Sequence, residues 1–119
     1  MGYVALRQDD QVRARSLFIE AQRHFKEIGS KIGVTYALEG LASSNVFAGN
    51  PVKATRLIGW ADATSKEADE LRPPVEQKDV DQDKAACRLA LGEEAFTHAY
   101  EAGRVMTLEQ AVAYALEGN

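Results

Sequence analysis

A chain of 119 residues, 45% apolar and 27% charged, has the balance of one globular domain or a stretch of a repeat array, not of a disordered segment. Its 14 Lys and Arg are outnumbered by 18 Asp and Glu, for a formal net charge of -4, and the bases are scattered among acids. Nucleic-acid contact, which needs a basic surface to displace counterions from phosphate, is therefore not an expected function. A domain of this size buries roughly two-thirds of its unfolded surface, so neither metal nor disulfide is needed to fold it and no cofactor is expected.

Helical spacing runs through the whole chain and no strand-like alternation competes with it, so the expected class is all-α. From Asp10 to Ile28, Ala14, Leu17, Phe18, Ala21, Phe25 and Ile28 recur at steps of three and four on one face. A turn at Gln8–Asp10 separates this helix from a first, short one over Gly2–Gln8, and Gly29 supplies its end. Between Lys31 and Ala48 the stripe is Val34, Ala37, Leu38, Leu41 and Asn45, stopped by Gly49-Asn50-Pro51. Pro51 opens a third long helix, to about Glu70, which buries Ala54, Leu57, Ile58 and Ala61. Trp60 falls off that stripe and is expected to pack on a neighbouring helix pair.

Pro73-Pro74 is the strongest break. A helix from Val75 to Leu91 follows, with Gly92 as its cap, then a short helix carrying Ala95, Phe96, Ala99 and Tyr100 that stops before Gly103. Thr107 and Gln110 have the spacing of a capping box. The last helix shows Leu108, Ala111, Val112, Ala115 and Leu116 on one stripe. Six to seven helices are expected, residues 1–72 forming helix pairs and 73–119 the capping helices of the same array.

Two segments are alike at an offset read from Ala14 to Ala54: GYVALRQDDQVRARSLFIEA and ASSNVFAGNPVKATRLIGWA. Leu17 and Phe18 answer Leu57 and Ile58, and Ala21 answers Ala61. Small residues let paired helices approach while bulky ones fill the space between pairs. This resembles the tetratricopeptide pattern, with each helix a turn longer than the usual period of about 34 residues demands. Because repeats need neighbours, the abrupt start suggests a piece of a longer solenoid. Tyr3, Val4 and Leu6 at that edge offer a surface for a homodimer.

The C-terminal stretch LGEEAFTHAYEAGRVMTLEQAVAYALE adds a second resemblance, to the segment that closes many bacterial ATPase-type regulators, including large LuxR-type transcriptional regulators. The features that carry it are Leu91 to Phe96, Tyr100, Gly103 and Thr107 to Ala115; upstream, Gly59, Ala61 and Ala63 in ATRLIGWADATSKEADELRPP are similar to that family's penultimate helix pair. The ATPase and the DNA-binding helix-turn-helix of such regulators lie in other segments. What the resemblance implies here is an arm that senses a ligand or scaffolds a partner, non-catalytic by itself, in signalling and transcription regulation.

Candidate chemistry is sparse. His24 and His98 sit on separate helices with no Cys or acid cluster beside them, whereas a zinc site wants at least three protein ligands. Asp79-Val80-Asp81-Gln82-Asp83 begins like a calcium loop, yet Lys84 occupies the glycine position and Ala90 the final glutamate, so a solvated helix face is the reading. Glu93-Glu94 offset a helix dipole. Gly29-Ser30-Lys31 lacks the rest of a phosphate loop, and no nucleophile–base arrangement has a supporting motif. Cys87, the only cysteine, lies in an apolar run and reads as a small buried hydrophobe.

By analogy with tetratricopeptide arrays, where the first helix of a pair lines the concave face, Tyr36, Glu39, Ser43 and Phe47 are the candidate binding residues. The expected partner is a protein or a neighbouring domain of a longer chain. A purely structural cap of the solenoid stands as the alternative, and a small helical enzyme has no motif behind it. With no apolar run near the roughly 20 residues that cross a bilayer and no signal peptide at Met1–Arg7, no membrane contact is expected and the location is cytoplasmic.

Overall fold

The computed structural model describes residues 2–68 and 72–117, with side chains from Asp10 onward. Among them the chain forms α-helices and no strand: α1 (Gly2–Glu27), α2 (Lys31–Phe47), α3 (Pro51–Glu67), α4 (Pro74–Leu91), α5 (Glu93–Arg104) and α6 (Leu108–Leu116). The fold is all-α, as the spacing requires.

The stops are chemical. Gly29 and Gly49 adopt φ of 74° and 83°, a left-handed conformation that costs residues with a Cβ. Each closes its helix in the same way. The N–H of Ser30 donates to the Phe25 carbonyl at 2.8 Å and that of Asn50 to the Asn45 carbonyl at 2.8 Å, satisfying carbonyls the helix end would orphan. Ser30 then caps α2, its hydroxyl accepting from the Gly33 N–H at 3.1 Å. Pro51 and Pro74 each begin a helix, where a missing N–H costs nothing.

Two boundaries differ from expectation. The turn expected at Gln8–Asp10 does not form, and α1 runs through it as one helix of 26 residues. Neither Gly nor Pro interrupts that stretch, and two aspartates cost a helix only about 0.7 kcal/mol each. Gly103, expected to end α5, lies within it and is buried. The Tyr3, Val4 and Leu6 side chains of the expected dimer edge, and Asp69 and Glu70 at the expected end of the third helix, lie outside the described residues.

One core joins both halves of the chain. Val34, Leu38 and Leu41 of α2 meet Leu57, Ile58 and Trp60 of α3, and the cluster continues to Cys87, Phe96 and Val112. Trp60 is packed, at 2% exposure, and Cys87 is buried. α3 is the hub: it packs on α2 and most closely on α5, while α4, the next helix in the chain, packs on it less closely. Ideal Cβ positions at Gly59 and Gly103 would lie 2.3 Å from the Tyr100 carbonyl oxygen and 1.9 Å from that of Arg56. Rising numbers on α5 thus meet falling numbers on α3, so the two run antiparallel with backbones touching. α1 and α2 pair antiparallel too, with Phe25 over Gly33 and Phe18 over Gly40.

The core face expected for α1 is too wide. Leu17 and Ile28 are each 62% exposed, because α1 packs chiefly on α2 and the seam takes Phe18, Ala21 and Phe25 of the expected stripe together with Ile19 and the buried Gln22. The equivalent Leu57 is fully buried because α3 has neighbours on several sides. Sequence likeness at the repeat offset therefore does not bring likeness of environment.

The last helix carries the capping box that its spacing predicts. Thr107 Oγ1 accepts from the Gln110 N–H at 3.1 Å, and Gln110 Oε1 accepts from the Thr107 N–H at 2.9 Å. Thr107→Ala should cost about 1 kcal/mol. The measurement is the urea midpoint followed by the fluorescence of Trp60, the single tryptophan. An unchanged midpoint would mean that α6 does not unfold with the rest.

Candidate functional site

α2 presents two faces. Val34, Leu38 and Leu41 point to the core, and Tyr36, Glu39 and Ser43 follow one another along the opposite side. These three of the four expected binding residues do come together. They line a cavity of about 160 Å³ closed on one side by Phe18 of α1 and on the other by Glu76, Asp79 and Asp83 of α4. Phe47, one turn further on at the end of α2, is 44% exposed and lies off this cavity.

Phe18 and Tyr36 form an edge-to-face pair, with ring centroids 5.8 Å apart and planes at 64°. Tyr36 is half open to solvent, so its ring is a wall of the groove as well as a packing element. A second hollow of about 290 Å³ shares Tyr36, Glu39 and Glu76 and extends toward Ile32, Arg72 and Pro73. Together they make one groove along α2 from Ile32 to Ser43, about 16 Å at the helical rise.

Behind the groove lies a buried ionic cluster that ties four helices to the segment before α4. Arg72 Nε donates to Glu39 Oε2 at 2.5 Å, and its Nη2 stands 2.6 Å from Asp62 Oδ1. Asp62 also pairs with Lys84 at 2.6 Å and accepts from the Tyr100 hydroxyl at 2.5 Å. Burial works to raise the Asp62 pKa, but Lys84, Tyr100 and Arg72 outweigh it and hold the carboxyl below its ordinary value. Glu39 goes the other way: burial dominates and lifts it despite Arg72. Asp83 is lifted as well, by burial first and by Asp79 beside it, against a hydrogen bond to Ser43.

Phe18, Glu76, Asp79 and Asp83 are groove residues that the sequence does not point to. Phe18 falls on the core stripe, Asp79 to Asp83 read as a solvated helix face, and Glu76 has no reading from the sequence. Only the docking of α4 against α2, a tertiary fact, turns Glu76, Asp79 and Asp83 toward the groove. Their spacing of three and four was the available signal.

The other candidates remain apart. His24 is on α1 and His98 on α5, both exposed, and among the described residues no group of three or more His, Cys, Asp or Glu could hold a metal ion. Residues Asp79 to Asp83 lie within continuous helix, so they form no calcium loop. Glu93 and Glu94 occupy the first turn of α5, and Glu93 pairs with Arg88 at 2.7 Å in solvent. No described helix is long and apolar enough to cross a membrane. Compared with known proteins, the chain matches no family model, no curated protein and no solved structure.

Proposed function

We propose that this chain is a partner-binding module, non-catalytic by itself, that holds an extended segment of another protein or of a neighbouring domain in the groove along α2. The observation that carries this is the meeting of Tyr36, Glu39 and Ser43 with Phe18 and the acidic face of α4 around one open hollow. Size favours a protein segment over a small effector. Each hollow, at about 160 and 290 Å³, falls short of the roughly 300 Å³ at which drug-sized ligand sites begin, while the elongated 16 Å groove they form together spans about five extended residues. On the resemblance of its C-terminal stretch, the module belongs to a cytoplasmic bacterial signalling regulator of the LuxR kind, built on tetratricopeptide-like pairs.

The structural-cap reading has its own support in the exposed Leu17 and Ile28 of α1, which share a flank on which a preceding helix pair could stack. The two readings separate by experiment. Peptides selected from a display library against the whole chain, with counter-selection against Ser43→Trp to fill the groove, should shift amide NMR signals of α2 and α4. Selection that yields no binder, or binders whose shifts map to α1 and α6, would leave the cap reading in possession.

A further inference from the structure

We infer that the cavity between Phe18, Tyr36 and the acidic face of α4 receives a basic side chain, Lys or Arg, from the partner segment. This rests on the partner-binding reading and adds to it the chemistry of recognition. Among the described residues four carboxylates line the cavity, those of Glu39, Glu76, Asp79 and Asp83, and no base lines it with them. Glu39 is matched by Arg72 from behind, but Glu76, Asp79 and Asp83 enter no ion pair among the described residues. An occupant that brings positive charge relieves their mutual repulsion. One that brings negative or neutral groups buries them unmatched.

Geometry selects the kind of cation. No three acids converge tightly enough to chelate a metal ion, so the charge is spread over a rim, which suits a broad or flexible organic cation. An enclosed apolar hollow of about 150 Å³ accepts a group the size of benzene, so this cavity has room for the end of one long side chain. Its wall is aromatic. The exposed Tyr36 ring, set edge-to-face against Phe18, offers a π surface to a cation whose aliphatic stem lies along the apolar floor at Val80. The raised pKa values of Glu39 and Asp83 agree with negative charge held in a partly desolvated place without enough compensation.

The test uses the whole chain and a positional-scanning library of fluorescent peptides, each about seven residues to exceed the groove's span. Binding is read by anisotropy at low salt. Pools that fix Arg or Lys at one position should bind about tenfold tighter than pools with Gln there, a preference that shrinks as salt rises. Glu76→Gln/Asp79→Asn/Asp83→Asn should abolish the preference, with the fold checked by its thermal transition. Tyr36→Ala should weaken the basic pools while leaving every carboxylate in place.

Three outcomes overturn the inference, each differently. If no pool binds, the partner-binding reading falls with it. If pools bind without preference for a base, groove binding stands and the cationic inference alone fails. If the preference persists in the neutralised variant, the basic segment sits elsewhere on the molecule.

Discussion

Gly103→Ala is expected to destabilise the chain by about 2–3 kcal/mol, the upper part of the range for overpacking a close contact. For a domain of this size that is a fall in melting temperature of about 10 °C. The sign is the informative part, because Ala in place of Gly inside a helix is ordinarily worth up to about 1 kcal/mol of stability. Here the added carbon would sit 1.9 Å from the Arg56 carbonyl oxygen, a backbone atom that cannot turn aside. α5 would have to withdraw from α3, loosening the Ile58, Trp60 and Phe96 packing that joins the two ends of the core.

Gly59→Ala should behave alike, since its added carbon meets the Tyr100 carbonyl oxygen at 2.3 Å. The pair of changes should cost less than the sum of the two, because one displacement of α5 relieves both clashes. Gly33 and Gly40 provide the contrast. Their added carbons meet side chains and not backbone: the outer edge of the Phe18 ring at 2.4 Å, which can swing outward, and the base of the Phe25 ring at 2.2 Å, which a change of rotamer relieves. Calorimetry on the four single variants should therefore rank Gly59 and Gly103 well below Gly33 and Gly40 in melting temperature. Equal losses at all four would show that α3 and α5 do not touch through their backbones.

Gly103 also shows what the sequence can and cannot say. A glycine near the end of an apolar pattern signals a helix stop and signals a close helix contact equally well, and nothing local separates the two. Where a second signal stands beside the first, the boundary is readable: Gly49 with Asn50 and Pro51 stops α2, Pro51 starts α3, and Thr107 with Gln110 caps α6. The seam of α1 was legible in position but not in width, since a helix with one neighbour and a helix with several carry the same stripe.

For the groove, the order is reversed. Tyr36, Glu39 and Ser43 were legible because they stand opposite the Val34, Leu38 and Leu41 face of a single helix. Glu76, Asp79 and Asp83 were not, because a row of acids reads as solvated until another helix is placed before it. Arg72, next to Pro73 in an irregular segment, has no periodic pattern to read. Yet it holds Glu39 and Asp62 from two helices at once.

That position makes Arg72→Ala the second large effect, at about 3 kcal/mol, the lower end for breaking a buried ion pair by removing one partner. The lower end applies because Lys84 and Tyr100 still hold Asp62, while Glu39 loses the one ion pair it makes among the described residues. Glu39→Gln should be mild by comparison. Burial works against the charge of Glu39, so a neutral isostere gives up less than the loss of Arg72 does, and it leaves Arg72 its pair with Asp62.

The two carboxylates also carry opposite pH signatures. Asp62, held below its ordinary value of 3.8, contributes stability that is fully present above that value and lost as pH falls through its folded pKa. Glu39, raised above its ordinary 4.5, binds its proton more tightly in the folded chain, so it erodes stability as pH climbs from 4.5 through its folded pKa. Asp83 adds the same slope as Glu39 and is common to both proteins, so it cancels in a comparison. Urea unfolding of wild type and Glu39→Gln across the acid range should show the variant gaining on the wild type as pH rises toward neutrality. A variant that instead loses ground as pH rises would mean that the Arg72 pairing outweighs burial at Glu39. The negative charge facing the groove would then be stabilising in the free protein, with no partner needed to offset it.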